Sequence, residues 1–326
     1  MKSMKKDMLV SVVIPSWNGI ELLNDCLLSL EKQSYKSLEV IVVDNGSSDD
    51  SVKYIKSNFP KFKVVELSYN QGFSVAVNIG IKKSLGEYIF ILNNDTEVDK
   101  NCILHLVKAL SKNQEVGMMA SKILNFYQRD FIDNAGDELD TVGHLLVKGY
   151  GKKDGLKFSK QYSLFLVSGG GSLFKREVFE KIGYFDESYF MYMEDADLCF
   201  RAQLAGFRAL FEPRAIIYHK RMATSSKNLS LVECLNFRNM TMNIIKDFPV
   251  ALLMHNFNWL KIILVNLNTL KYLIGKGYLM GALKAEWFIL CNLRVLFEKR
   301  KIIQKSKIVS DQYIIKNVKE KRCNIF

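Results

Sequence analysis

The chain has 326 residues, 48% of them hydrophobic and 25% charged, which suits one large globular domain or two and excludes a disordered or fibrous chain. Its six cysteines are scattered without a CxxC pair, which argues against a disulfide framework or a zinc site and for a reducing compartment such as the cytoplasm. The net charge of +12 is segregated: residues 220–326 hold 19 Lys and Arg against 6 acidic residues, net +13, leaving 27 basic and 28 acidic residues, net −1, in the first 219.

MKSMKKDMLVSVVIP runs from a basic start into an apolar, β-branched stretch too short for a signal-peptide core, and residues 9–15 read as a buried strand ended by Pro15. Leu23, Leu27, Leu28 and Leu30 predict a helix over 20–32. LEVIVVDN (38–45) reads as a second buried strand, and residues 47–50 offer N-cap side chains for the helix after it. KVVELS (63–68) predicts a third strand, followed by a helix from about 72 to 85. EYIFILNND (87–95) is the fourth, with a helix over 99–112. Such alternation predicts βαβ units on a parallel sheet, where ligands bind beyond the carboxyl ends of the strands.

Those ends are polar in each case: PSWN (15–18), Asp44 with Asn45, Asn70 with Gly72, and Asn93-Asn94-Asp95. Each cluster alone reads equally well as a turn; four at one rim read as one site. GxGxxG does not follow the first strand, and GxxxxGK[ST] is absent, which argues against dinucleotide cofactors and P-loop ATP hydrolysis. A nucleotide held through base and ribose remains, with Asp44 placed to accept from a pyrimidine N–H or a ribose hydroxyl. No basic cluster stands at the rim to neutralise a diphosphate. Bridging Mg2+ or Mn2+ would do so, with Asp95 as candidate ligand; the structural alternative for Asp95 is an N-cap.

VSVVIPSWN, VIVVDNGSSDDS, NQGFSVAVNIG, FILNNDTEVD, GYFDESYFMYMEDADLCFRAQLAGF and IIYHK occur in the order typical of family 2 glycosyltransferases. Over roughly residues 8–225 the chain resembles that family, most closely its bacterial rhamnosyl- and galactofuranosyl-transferase-like branch. The resemblance implies a GT-A fold, a Rossmann-like and mostly parallel sheet flanked by helices. It also implies a nucleotide-diphospho-sugar donor, a divalent metal and inversion at the anomeric carbon.

Carried over by residue, Pro15, Asn18, Asp44 and Asn45 correspond to the nucleoside pocket, and Asn70, Gly72, Asn78 and Gly80 to the donor side. Asn93 and Asn94 precede Asp95 where the family has Asp-x-Asp, so metal binding is expected to rest on Asp95 and a more distant ligand, for which His219 is placed; a structural His219 is the alternative. His105, His144 and His255 fit no site pattern. Inversion needs a carboxylate to take the acceptor hydroxyl's proton. Asp195 resembles that base, at the start of a short helix closed by Gly206, with Glu194 orienting the acceptor. Asp197 and Arg201, four apart, read as a structural pair. Acceptor contacts are expected at Gly169 and Gly170, where an SGGG run bares the backbone, and at Asp186 and Tyr192. Phe185, Tyr189, Phe190 and Tyr192 read either as a sugar platform or as core.

These features divide the chain into a catalytic domain, 1–225, and a basic amphipathic helical region, 226–326. There Leu253, Phe257, Leu260, Leu264, Leu267 and Ile274 recur at helical spacing, and the longest charge-free run, 248–260, has 13 residues. A span needs about 20, so the region is expected to lie on the inner face of the cell membrane. Packing on the catalytic domain or in a homo-oligomer is the alternative, and nucleic acid ranks last for want of a binding motif. The function expected is metal-dependent sugar transfer to a glycan or lipid-linked acceptor in cell-surface polysaccharide synthesis. A sugar-phosphate nucleotidyltransferase would need a Gly-rich basic loop after the first strand, which PSWNGIELL is not. A non-catalytic sugar-nucleotide-binding protein is a third reading, which the presence of both Asp95 and Asp195 disfavours.

Overall fold

In the computed structural model, which describes residues 8–221 and 229–320, the N-terminal alternation builds one half of a ten-stranded sheet. β1 (Val10–Ser16), β2 (Leu38–Asp44), β3 (Lys63–Glu66) and β4 (Tyr88–Leu92) are connected through α1 (Ile20–Glu31), α2 (Ser51–Asn58) and α3 (Phe73–Lys83). β1 pairs in parallel with β2 and β4, and β2 with β3. The spatial order β3–β2–β1–β4 reverses the direction of winding between β1 and β4, a switch point where open α/β sheets bind ligands. Val12, Val13, Ile14, Val42 and Ile91 are fully buried in these strands, as β-branched side chains covered on both faces should be.

After Asp95 the chain forms β5 (Thr96–Val98), not a helix, and α4 (Cys102–Leu110) starts behind Asn101; Asp95 is therefore no N-cap. β6 (Val116–Asn125), β7 (Ile132–Asn134), β8 (Asp137–Leu139), β9 (Leu145–Val147), β10 (Tyr162–Leu164) and β11 (Gly171–Lys175) follow. Then come α5 (Arg176–Ile182), α6 (Glu194–Leu204) and β12 (Arg208–His219). β11 is wedged antiparallel between β4 and β6, while β12 runs parallel to β6 and carries β5 and β10 antiparallel to it. The last residue of β12 is His219. β8 and β9 form a separate ribbon.

The C-terminal helices are α7 (Leu229–Asp247), α8 (Val250–Met254), α9 (Asn258–Gly275), α10 (Leu279–Lys305) and α11 (Asp311–Asn317). α7 packs against α6, α9 and α10. The domain boundary expected at 225/226 lies outside the described residues, as does Cys323; the five described cysteines are free. α9 and α10 expose Trp259, Leu260, Ile263, Leu264 and Leu267 together with Leu283, Trp287 and Leu290. The expectation that nothing here is long enough to span a bilayer needs correction. Val250–Gly275 has the length and composition to cross one, and only 17% of its apolar window is buried. Counting uncharged residues alone undercounts, because a lysine such as Lys261 can lie along apolar surface with its ammonium in water. The stretch is interrupted by left-handed Asn256 and Phe257, so it is not one continuous helix.

Candidate active site

Asp44 ends β2 with 3% of its surface exposed. One carboxylate oxygen, Oδ2, accepts the Ser47 N–H at 3.0 Å, while Oδ1 is buried and has no partner. An orphaned buried acceptor is costly and calls for a donor from a ligand. Pro15, half-buried, lies opposite Val43 of β2 in the β1 register. Its neighbours do different work from what was expected. Asn45 donates to Asn70 Oδ1 and to the Gly72 carbonyl and accepts from Gln71 N–H. Asn18 accepts from Ser48 N–H at 2.8 Å. These amides brace the rim loops. The donor-side role expected of Asn78 is corrected: it is 1% exposed, and its amide is pinned to both the N–H and the carbonyl of Phe185. Gly80 packs beneath, where a Cβ would lie 2.3 Å from Val13. Gly72 has φ +88°, and a Cβ there would lie 2.4 Å from the Phe190 carbonyl, so only glycine lets the loop before α3 close on Phe190, just ahead of the acidic residues Glu194, Asp195 and Asp197.

Asp95 sits at the switch point beside the end of β12. His219 Nε2 is 3.2 Å from Asp95 Oδ1, and Nδ1 is 2.6 Å from Asp133 Oδ2 on β7. Burial alone would disfavour the charged ring, but hydrogen bonds to Asp133 and Asp95 push His219 up to about 9, so a cation at Nε2 would have to displace the proton shared with Asp95, leaving the Nδ1 proton on Asp133. A carboxylate behind an imidazole is what orients a ligating histidine. One carboxylate and one oriented imidazole fit a divalent cation that takes its other ligands from a diphosphate and water. Among the described residues no three His, Cys, Asp or Glu side chains form a self-sufficient cage. Asn94 Nδ2 donates to Ser16 Oγ at 3.0 Å, tying the end of β4 to that of β1; the Asn93 carbonyl accepts from Thr96 Oγ1.

Asp195 lies in the first turn of α6. Its Oδ2 accepts the Gly169 N–H at 3.0 Å and Oδ1 the Ala196 N–H at 2.8 Å. Burial raises its carboxyl above the ordinary range, and those two amides oppose the rise. Glu194 is 7% exposed with one oxygen unpartnered, and burial together with Asp195 and Asp197 raises it to about 8. Burial and its acidic neighbours thus bias Glu194 toward its protonated form. The expected Asp197–Arg201 pair is present at 2.7 Å, and Lys246 of α7 joins it at 2.6 Å. Asp186, expected at the acceptor, is instead held by Lys246 and Lys299, each at 2.7 Å; a carboxylate so engaged is structural. Phe185 and Tyr189 are core, whereas Tyr192 is half-buried with φ 68°.

Asp195 and His219 both line a cavity of about 190 Å³, together with Asn93, Asp133, Asp137, Gly170 and Arg221. Asp133, Asp137 and Arg221 had not been anticipated. Asp137 is 2% exposed, raised to about 8 by burial and by Asp195. Arg221 binds Asp133 at 2.8 Å, and Lys220 binds Asp25 at 2.6 Å while its N–H reaches the Asp95 carbonyl. The KR directly after His219 was the available signal for positive charge near the rim. The acidic run IDNAGDELD was the signal for the other wall.

Residues 11–183 match the model of a family described as Glycosyl transferase family 2. A poly-beta-1,6-N-acetyl-D-glucosamine synthase of Staphylococcus epidermidis is 28% identical over 212 residues, covering 64% of this chain and 49% of that protein. The chain thus spans about half the length of this curated relative. Among solved structures, GalNAc-T7 with UDP, GalNAc and Mn2+ aligns with a TM-score of 0.59 at 19% identity, over 74% of this chain and 48% of that one. The mannosyltransferase PcManGT from Pyrobaculum calidifontis, solved with GDP-Man and Mn2+, aligns at 0.56 and 18% identity, over 92% of this chain and 86% of that one. At these identities the likeness establishes the fold, which is GT-A.

Proposed function

The chain belongs to glycosyl transferase family 2, and on that premise we propose that it is an inverting, metal-dependent transferase moving a hexosyl- or rhamnosyl-type sugar from a nucleotide diphosphate to a hydroxyl of a glycan or lipid-linked acceptor. The observation carrying this reading is that one cavity is lined by both Asp195 and His219, with Asn93 and Gly170 also in its wall.

In this reading Asp44 accepts a hydrogen bond from the nucleoside, and Asp95 with His219 holds Mg2+ or Mn2+. The cation, when bound, supplies positive charge that stabilises the leaving diphosphate. Asp195 accepts the acceptor hydroxyl's proton as that oxygen forms its bond to the anomeric carbon. The bond from that carbon to the diphosphate oxygen breaks on the opposite face, and the nucleoside diphosphate departs with the electron pair. A carboxyl raised by burial, with two amides opposing the rise, is a stronger base than an exposed aspartate, which suits proton abstraction. The glycan-synthesising relative supports a glycan acceptor and a place in cell-surface polysaccharide synthesis. Segregation of positive charge onto residues 220–326, and the exposed apolar faces of α9 and α10, support a peripheral site on the inner membrane face, with residues 226–326 as the docking part.

The test uses whichever member of a panel of UDP-, GDP- and dTDP-sugars serves as donor. Asp195→Asn is expected to keep donor affinity and lose turnover by about 10²–10⁴-fold or more. Asp95→Ala is expected to abolish transfer and the cation dependence of nucleotide binding. Retained turnover in the first variant, or cation-dependent binding in the second, would sink the respective assignment.

A further inference from the structure

Immediately before the acidic block the backbone does something expensive. Tyr192 and Met193 are consecutive non-glycine residues in the left-handed region, with φ 68° and 66°. Such residues persist only when their surroundings over-determine them. The chain leaves this turn directly into Glu194 and Asp195, so its geometry sets where the Asp195 carboxylate points.

What over-determines the turn comes from α7. Asn239 Nδ2 donates to the Met191 carbonyl at 2.9 Å and to the Tyr192 carbonyl at 2.8 Å. Asn243 Nδ2 donates to the Met193 carbonyl at 3.1 Å, and its Oδ1 accepts from the Tyr189 hydroxyl. Three successive carbonyls are thus satisfied by two side-chain amides of one helix. Lys246 completes the row, reaching Asp186 and Asp197 on either side of the turn. Positions 239, 243 and 246 follow the i, i+4, i+7 spacing that places them on one helical face. All three are buried, at 0%, 2% and 1% exposure, where uncompensated polar groups would not be tolerated. Arg238 Nε donates to Asn239 Oδ1 at 2.8 Å, which fixes the amide with its Nδ2 toward the turn.

We infer that Asn239 and Asn243 are positioning residues for the base: α7 clamps the left-handed turn and thereby holds Asp195 in the cavity. α7 lies beyond the stretch that matches the family model. The C-terminal region is then part of the catalytic apparatus, in addition to any surface it offers a membrane. The inference rests on Asp195 being the base and goes beyond that reading by assigning what aims it.

The experiment compares full-length Asn239→Ala, Asn243→Ala and the milder Asn243→Ser, each alone and combined with Met193→Gly. Glycine adopts the left-handed turn without a clamp. The single variants are expected to bind one equivalent of nucleoside diphosphate with unchanged donor KM and to lose kcat by 10- to 100-fold. Adding Met193→Gly is expected to restore at least part of that loss. Wild-type kcat in all three single variants overturns the inference. So does a fall in kcat that merely tracks lost nucleotide-binding stoichiometry in Asn243→Ser and is not recovered with glycine. Asp195→Asn, run in parallel, separates the two ideas: full turnover there overturns the base assignment itself, whereas lost turnover there with intact clamp variants overturns only the clamp.

Discussion

Replacing Asp44 by asparagine separates two roles of one carboxylate. In the fold, Oδ2 closes a turn on Ser47 N–H, and an asparagine carbonyl keeps that bond. The other oxygen is buried and unpartnered, so in the free protein it is a liability; an unsatisfied buried group costs about 1–3 kcal/mol. An uncharged amide is cheaper to bury than a lone carboxylate, so the free variant should melt at the wild-type temperature or above it. In the nucleotide complex the sign reverses. A hydrogen bond to a charged acceptor contributes about 1.5–3 kcal/mol, and the asparagine Nδ2 would face the ligand's donor. At 1.4 kcal/mol per tenfold, Asp44→Asn should weaken nucleoside diphosphate binding by roughly 10- to 150-fold. Titration calorimetry with UDP, GDP and dTDP, set beside thermal melts without ligand, reads both quantities. A lower melting temperature with unchanged affinity would refute the reasoning, because it would make Asp44 a structural residue only.

Two further outcomes are expected. Glu194 is raised from an ordinary 4.5 to about 8 by burial and its acidic neighbours, so the folded state keeps a proton that the unfolded chain releases between those values. Its stabilising contribution is full below about 4.5 and falls as pH rises toward 8, by at most about 1.4 kcal/mol per pH unit. Glu194→Gln should flatten that part of the stability profile in urea melts, and an unaltered slope would contradict the burial argument. The full chain should co-sediment with anionic vesicles at low salt, each Lys or Arg near the surface contributing about 1 kcal/mol. Leu264→Glu with Trp287→Glu should leave it in the supernatant; retained sedimentation would remove the apolar faces of α9 and α10 from the account.

The parallel half of the sheet was legible because β1, β2 and β4 are continuous apolar runs and α1, α2 and α3 alternate with the strands. The Asp197–Arg201 pair at i, i+4 spacing was legible for the same reason: the information is local. The mixed half was not, since β6 pairs in parallel with β12 and antiparallel with β11 across long separations that no local pattern encodes. Nor could the sequence tell which asparagines face a ligand. Asn45, Asn70 and Asn78 spend their amides on backbone, and only the fold reveals which carbonyls lie within reach. Asp186 misled because its partners, Lys246 and Lys299, stand far along the chain. Asn239 and Asn243 carried no visible signal, being ordinary polar residues in a helix whose buried face happens to need donors.

The clamp also has a temporal side. The pairings among β1, β2, β3 and β4 all lie within residues 10–92. The carbonyls of Met191, Tyr192 and Met193 wait for donors 47 to 50 positions downstream. Synthesis proceeds from the N-terminus at about 5–20 residues per second, so β1 to β4 leave the ribosome well before α7. On the proposed assignments, the strands that face the nucleoside are made first, and the helix that aims Asp195 only afterwards.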